Sequence, residues 1–155
     1  MRKKQVYKKY HKPDHDYGSI ALSRFINYVM EDGKRSIAEK VVYTALQKIQ
    51  KSANLEPLQV FDKAMENASP LVEVRSKRVG GANYQIPIEV RRERKFMLAA
   101  RWIIAAAQNK KGKSMSDKLA EELLAAYKNE GAAIKKKQDV HRMAEANRAF
   151  AHFAR

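Results

Sequence analysis

The chain contains no cysteine, so neither a disulfide framework nor a thiolate metal site is open to it, and a reducing, cytosol-like compartment suits it. No apolar run approaches the ~18 residues of a membrane span. No apolar block follows Met1-Arg2-Lys3-Lys4, which predicts no secretory signal. Acidic charge is scarce: 17 Asp and Glu stand against 32 Lys and Arg, a net +15 over 155 residues. Such an excess opposes compaction unless counter-charge comes from outside, and nucleic acid is the readiest supplier.

The chain also lacks the constellations of an enzyme. Asp117, Glu121 and Glu122 are scattered among cations, and no paired carboxylates sit in an apolar setting for acid–base work. No Ser, His and Asp combination stands out. Gly33-Lys34 is no phosphate loop, since that motif needs Gly at position 28 and Ser or Thr at 35, where the chain has Tyr28 and Arg35. His11 and His15 are separated by Pro13, which breaks the helical spacing of metal ligands. His141 and His152 are read on one last helix, on roughly the same side but too far apart to share a ligand. The expectation is a non-enzyme without cofactor or metal.

What is present is enough apolar material for a core. The hydrophobic share of 45% exceeds that of a disordered basic tail, and a domain of this size removes roughly 68–70% of its unfolded surface from water. Six helices are expected. Ser19 caps the first, with Leu22, Phe25, Ile26, Val29 and Met30 at helical spacing. Asp32-Gly33 ends it, and Lys34-Arg35 leads into a second, with Ala38, Val41, Val42, Ala45, Leu46 and Ile49 on one face. Pro57 opens a third, carrying Leu58, Phe61, Met65 and Ala68, and Ser69-Pro70 closes it. Arg91 to Lys95 starts a fourth with a Phe96, Ala100, Ile103, Ile104, Ala107 stripe and Trp102 on its flank. Ser114 or Ser116 caps a fifth with Leu119, Leu123, Leu124 and Tyr127. Asn129-Glu130-Gly131 stops it, and a last helix from about Ala132 buries Ile134, Val140, Ala144 and Phe150.

Between the third and fourth helices, Val72 to Val90 has the period of two strands: Val72 and Val74 alternate with Glu73, Arg75 and Lys77, and Tyr84, Ile86, Ile88 and Val90 with Gln85, Pro87 and Glu89. Gly80-Gly81-Ala82-Asn83 supplies the tight turn, and Pro87 marks an edge strand. Eight residues at ~3.3 Å make an arm of roughly 25 Å. A lone ribbon is marginal in water, so it projects from a body. The fold class is therefore mainly α, a six-helix bundle with one projecting β-hairpin. Residues 1–18 form an extended basic arm, and residues 19–155 one helical domain with the hairpin at about 72–90.

Basic residues gather in six places. Arg2, Lys3, Lys4, Lys8, Lys9 and Lys12 lie on the N-terminal arm, interleaved with Tyr7, Tyr10 and His11, whose rings suit stacking on exposed bases. Lys34 and Arg35 stand at a helix start fit to hold a backbone phosphate. Arg75, Lys77 and Arg78 lie on the hairpin, then Arg91, Arg92, Arg94 and Lys95, then Lys110, Lys111 and Lys113, and last Lys135, Lys136 and Lys137 with Arg142. Any single cluster suits a solvated face; six together point to nucleic acid, bound with strong salt dependence. A helical DNA-binding regulator, with a basic helix in the major groove, is the rival reading.

Three segments carry a resemblance over essentially the whole chain. Asp32-Gly33-Lys34-Arg35 after Phe25-Ile26-Asn27, then Arg78-Val79-Gly80-Gly81-Ala82-Asn83-Tyr84-Gln85-Ile86-Pro87-Ile88-Glu89-Val90, and Gly131 to Lys137 followed by His141 to Phe150 resemble the bacterial small-subunit ribosomal protein seven family. The resemblance implies a structural component of the small subunit that binds the three-prime major (head) domain of its ribosomal RNA and nucleates head assembly, beside neighbours that include ribosomal proteins nine and eleven. It implies the N-terminal arm with Lys34, Arg35, Arg75, Lys77, Arg78, Arg91, Arg92, Arg94 and Lys95 as ribosomal RNA contacts, to which charge alone adds Lys110, Lys111, Lys113, Lys135, Lys136 and Lys137. It also implies Gly80, Gly81, Ala82, Asn83, Arg142 and Met143 as the face toward exit-site transfer RNA and messenger RNA. No membrane and no obligate homo-oligomer is implied; the place is a cytoplasmic or organellar ribosome. Some members also repress translation of their own messenger. Two departures stand out: the chain ends Phe153-Ala154-Arg155 where the family often ends Tyr-Arg-Trp, and Pro13-Asp14-His15 keeps part of a Pro-Asp-Pro run.

Overall fold

The computed structural model describes residues 11–154. Arg2, Lys3, Lys4, Lys8 and Lys9, with Tyr7 and Tyr10, lie outside the described residues. The described residues form six α-helices and one two-stranded antiparallel sheet that packs on the last of them: α1 Ile20–Val29, α2 Arg35–Ala53, α3 Pro57–Ala68, β1 Val72–Val79, β2 Ala82–Glu89, α4 Arg92–Asn109, α5 Met115–Tyr127 and α6 Ala132–Ala146, with a 3-10 helix over Arg148–Ala154. Among the described residues no helix is long and apolar enough to cross a membrane.

The helix borders follow local chemistry. The Ser19 hydroxyl accepts from the Leu22 N–H and caps α1, while Asp32 and Gly33 take positive φ in the turn after it. Pro57 occupies the first turn of α3, where its missing N–H costs nothing. Of the two serines that could cap α5 it is Ser114, which accepts from the Asp117 N–H. The expected faces meet in one core: Leu22, Phe25 and Ile26 from α1, Val42, Leu46 and Ile49 from α2, Phe61 from α3, Ile103 from α4, and Leu119 and Leu123 from α5 are all fully buried. Phe25 and Phe61 meet edge to face at 5.2 Å, a geometry contributing about 0.5–1.5 kcal/mol beyond the area it buries. Alanines such as Ala99, Ala100, Ala106 and Ala107 let α4 pack closely in the middle of the bundle. Phe96, expected on the buried stripe, is half-buried at the edge of this core, as are Val29, Met30, Leu58, Leu124 and Tyr127.

Three expectations beyond the burial of single residues need correction. The last helix does not run on to Phe150: α6 ends at Ala146, where the Asn147 side chain donates to the Met143 carbonyl and competes with the helical ladder. His141 therefore lies on α6 and His152 on the 3-10 helix. The turn of the hairpin is two residues, Gly80 (φ 57°) and Gly81 (φ 91°), with Ala82 and Asn83 already in β2. The third concerns Glu122, which is no scattered surface acid but is 1% exposed inside the bundle.

The hairpin is also held along its length. Residues i and i+3 of a 3-10 helix eclipse one another, so Phe150 and Phe153 stack near-parallel (17°) at 6.5 Å and together receive Tyr84, at 5.2 and 5.3 Å. Ile86, midway along the ribbon, and Val90, at its base, are buried, and the Leu71 N–H donates to His141 Nε2 on α6 at 3.1 Å. Val140 and Phe150, expected buried, are half-buried. At the other end of the chain, buried Asp14 accepts from the Tyr17 N–H (3.1 Å) and the Tyr43 hydroxyl (2.6 Å). Desolvation, reinforced by that hydrogen bond, holds the Tyr43 phenol above its ordinary range.

Candidate nucleic-acid interface

Strand pairing decides which hairpin residues face together. Val72 pairs with Glu89, Val74 with Pro87, Arg75 with Ile86, Lys77 with Tyr84 and Val79 with Ala82. Directly paired residues share a face, so Val72 and Val74 lie on the face opposite Tyr84, Ile86 and Ile88. The ribbon thus has no single basic side: Arg75 and Lys77 rise beside the apolar side chains that dock on the body, and Arg78 projects from the other face with Ser76, Asn83 and Gln85. All three cations are exposed. Lys77 Nζ donates to the Phe153 carbonyl at 2.8 Å, which ties its strand to the C-terminal helix.

Where the hairpin enters α4, a cleft of about 560 Å³ is lined by Glu73, Val74, Arg75, Ile88, Glu89, Arg91 and Arg94. Arg94 Nε donates to both Glu73 carboxylate oxygens, at 2.7 and 2.8 Å. This charge-assisted pair fixes one guanidinium in the cleft wall, while Arg75 and Arg91 have no ion pair among the described residues. Arg92 is likewise exposed and without an ion pair, and Lys95 is half-buried beside it. The fold brings Arg75, from the hairpin, into one concave surface with Arg91 and Arg94.

Elsewhere the basic clusters divide. Arg35 stays exposed but is engaged by neighbouring side chains, donating through Nε to Glu39 (2.7 Å), Nη1 to Asn27 (3.0 Å) and Nη2 to Ser23 (3.2 Å), and Lys34 reaches Asp32 at 3.6 Å. Lys110 pairs with buried Glu122 at 2.9 Å, and Lys113 pairs with Glu121, whose carboxyl this contact holds below its usual range. Lys137 donates to the Asn67 carbonyl at 2.6 Å, and burial pushes its ammonium below the usual lysine range. Lys12, Lys111, Lys135 and Lys136 remain exposed without ion pairs among the described residues. The 18 residues of α4 at ~1.5 Å each separate Lys110 from the hairpin cleft by roughly 27 Å, so these two clusters belong to opposite ends of the molecule.

The tip residues Gly80, Gly81, Ala82 and Asn83 are all exposed. On α6, Arg142 is exposed with Asp139 at 3.6 Å, and Met143 is 48% exposed. Neither His11 nor His15 shares a site with another ligand: among the described residues no three His, Cys, Asp or Glu side chains could hold a metal ion.

A profile of the family described as ribosomal protein S7p/S5e matches residues 1–148. The chain belongs to the ribosomal protein S7p/S5e family. Its curated relatives include small ribosomal subunit protein uS7 of Petrotoga mobilis, 53% identical over 153 residues that cover 99% of both chains. That of Thermotoga maritima is 54% identical over the same span, and that of Xanthobacter autotrophicus 57% over 141 residues, 91% of this chain and 90% of the relative. The S7p/S5e family is structural and non-enzymatic, in line with the missing catalytic constellation. Its membership also supports a structural ribosomal role for this chain over the DNA-regulator reading. Residues that sequence reasoning passed over include Glu73, which orients Arg94, and Arg24, stacked 4.4 Å over the Phe96 ring. Arg24 stands outside every basic run, so charge clustering gave no signal for it.

Proposed function

We propose that this protein binds the head domain of small-subunit ribosomal RNA through the hairpin–α4 cleft and nucleates assembly of the head around it. The observation that carries the reading is that cleft: Arg75 and Arg91 line it without ion pairs among the described residues, beside an Arg94 already held by Glu73. Unpaired guanidinium groups in a concave wall are suited to phosphates, which position an RNA without reading its sequence. Arg92, Lys12, Lys111, Lys135 and Lys136 extend the contact, while Arg35, Lys110, Lys113 and Lys137 chiefly hold the protein together. The bare glycine tip, with Arg142 and Met143, is the proposed face toward exit-site transfer RNA and the messenger path. Ribosomal proteins nine and eleven are the proposed neighbours in the head, in a cytoplasmic or organellar ribosome. A messenger folded like the head RNA would be held by the same cleft, which is the basis proposed for autorepression.

The test is filter binding of the full chain to a head-domain transcript and to an unrelated structured RNA across a salt series. Tighter binding to the head domain at every salt concentration is expected, and equal affinity would overturn the assignment. Arg75→Gln and Arg91→Gln should each lower the slope of log affinity against log salt by about one.

A further inference from the structure

A second cavity, of about 320 Å³, opens between α1 and the start of α4 and is lined by His11, Arg24, Asn27, Tyr28 and Glu93. Arg24, Asn27 and Tyr28 stand at i, i+3 and i+4 of α1 and so share one helix face. Arg24 and Tyr28 both rest on Phe96, the guanidinium 4.4 Å from its ring centroid and the phenol ring 6.3 Å away. That shared support puts a flat guanidinium and an aromatic ring on the wall of one cavity, the two kinds of surface on which unstacked bases settle. Asn27 Oδ1 is taken by Arg35 Nη1, so its amide nitrogen is the group left to donate.

Glu93 is the unexpected member. It sits between Arg91, Arg92, Arg94 and Lys95, yet its carboxylate makes no hydrogen bond or ion pair among the described residues. An acid in the first turn of α4 complements the helix dipole, but that role does not require it to line a cavity with both oxygens open. A carboxylate there repels phosphate and accepts from base N–H groups. Guanine alone among the four bases offers two adjacent donors, N1–H and the N2 amino group, flanked by a carbonyl, O6.

We propose that this cavity is a pocket for one unpaired guanine of RNA. Glu93 accepts from N1–H and N2–H, the Asn27 amide donates to O6, and Arg24 and Tyr28 supply the stacking surface. The proposal rests on the reading of the chain as an RNA binder and adds a base-reading site to a surface otherwise suited to phosphates.

The experiment uses the full chain and U-rich single-stranded oligoribonucleotides carrying one central G, inosine, A or C, measured by fluorescence anisotropy at fixed salt. The G oligonucleotide should bind about tenfold more tightly than the others, the discrimination expected of one bidentate base contact. Inosine, which lacks the N2 amino group, should fall with the weaker set. Glu93→Gln should abolish the preference although it raises the net charge, whereas attraction to phosphate alone predicts that all four would bind more tightly. Asn27→Asp, which replaces the donor by an acceptor, should also abolish it. Thermal melts of both variants establish that the fold is intact. Equal binding of the four oligonucleotides by the unmodified chain, or a G preference that survives in Glu93→Gln, would overturn the pocket. Head-domain selectivity without G preference refutes the pocket alone, and G preference without head-domain selectivity refutes only the larger assignment.

Discussion

Lys110 and Glu122 should respond unequally to substitution, although they form one ion pair. Glu122 is 1% exposed, its Oε1 accepts from the Ala133 N–H at 3.0 Å, and its Oε2 lies 2.9 Å from Lys110 Nζ, whose side chain is 32% exposed. Glu122 thus supplies the start of α6 with the acceptor that Gly131, at the N-cap, lacks. Lys110→Met leaves a buried carboxylate with one backbone donor, at a cost of about 2–3 kcal/mol, below the 3–5 of a fully buried pair because Lys110 reaches solvent. Glu122→Gln keeps an oxygen for Ala133 and leaves Lys110 to Glu121, 3.9 Å away, and to water, costing about 1 kcal/mol. At ~2–4 °C per kcal/mol for a domain of this size, melting temperatures should fall by roughly 4–12 °C and 2–4 °C respectively. The double variant should be more stable than Lys110→Met alone, since the stranded charge is gone. Urea unfolding followed by circular dichroism measures all three. If Lys110→Met costs no more than Glu122→Gln, or if the two changes simply add, the carboxylate is hydrated and this account of α6 capping is wrong. The affinity of Lys110→Met for head RNA should show an unchanged salt slope, which separates its structural part from phosphate binding.

Three further outcomes are expected. Gly131→Ala should lose about 1–3 kcal/mol, because φ 94° and ψ 173° lie in a region open essentially to glycine and the new Cβ would meet Glu122 Oε1 at 2.9 Å; chemical denaturation reads the loss. His141 is depressed below its ordinary 6.5 by burial and then by the Lys137 charge. Its neutral form is favoured in the folded state, so this contribution is present above pH 6.5 and lost as pH falls through the lowered folded value. Urea midpoints at pH 7.5 and 5.5 should show that loss, and its persistence in His141→Gln would refute the assignment. Tyr84→Ala should remove two aromatic pairs of about 0.5–1.5 kcal/mol each and raise amide exchange over residues 148–154 while the helical core stays protected. Unchanged exchange there would mean that the C-terminal helix does not depend on the hairpin.

Much of the architecture was legible because helix ends and turns are local chemistry. Ser19, Gly33, Pro57 and Ser114 act on neighbours within a turn, and the apolar spacing of α1 to α5 identifies the faces that meet in the core. The hairpin was legible from its alternation and its paired glycines, yet the extent of its turn was not, since Ala82 and Asn83 are poor strand formers that enter β2 by pairing with Val79 and Arg78. The last helix was misread as continuous through Phe150 because the segment has helical spacing throughout. Its break at Asn147 leads into the 3-10 turn that sets Phe150 and Phe153 against Tyr84, a partner far away in the sequence.

By itself the sequence determined the elements, their order, the excess of positive charge and the membership of a ribosomal protein family, all properties of neighbouring residues or of the chain as a whole. Only the tertiary structure decided which charges are available to an RNA. Glu121 and Glu122 are adjacent and chemically alike, yet one is on the surface and the other is sealed against α6. Lys137 and Arg94 look as free in the sequence as Lys136 and Arg92, yet Asn67 and Glu73 claim them across the fold. Whether a cation is spent on the protein or left for phosphate depends on a partner brought within about 3 Å by packing, and sequence spacing does not carry that distance.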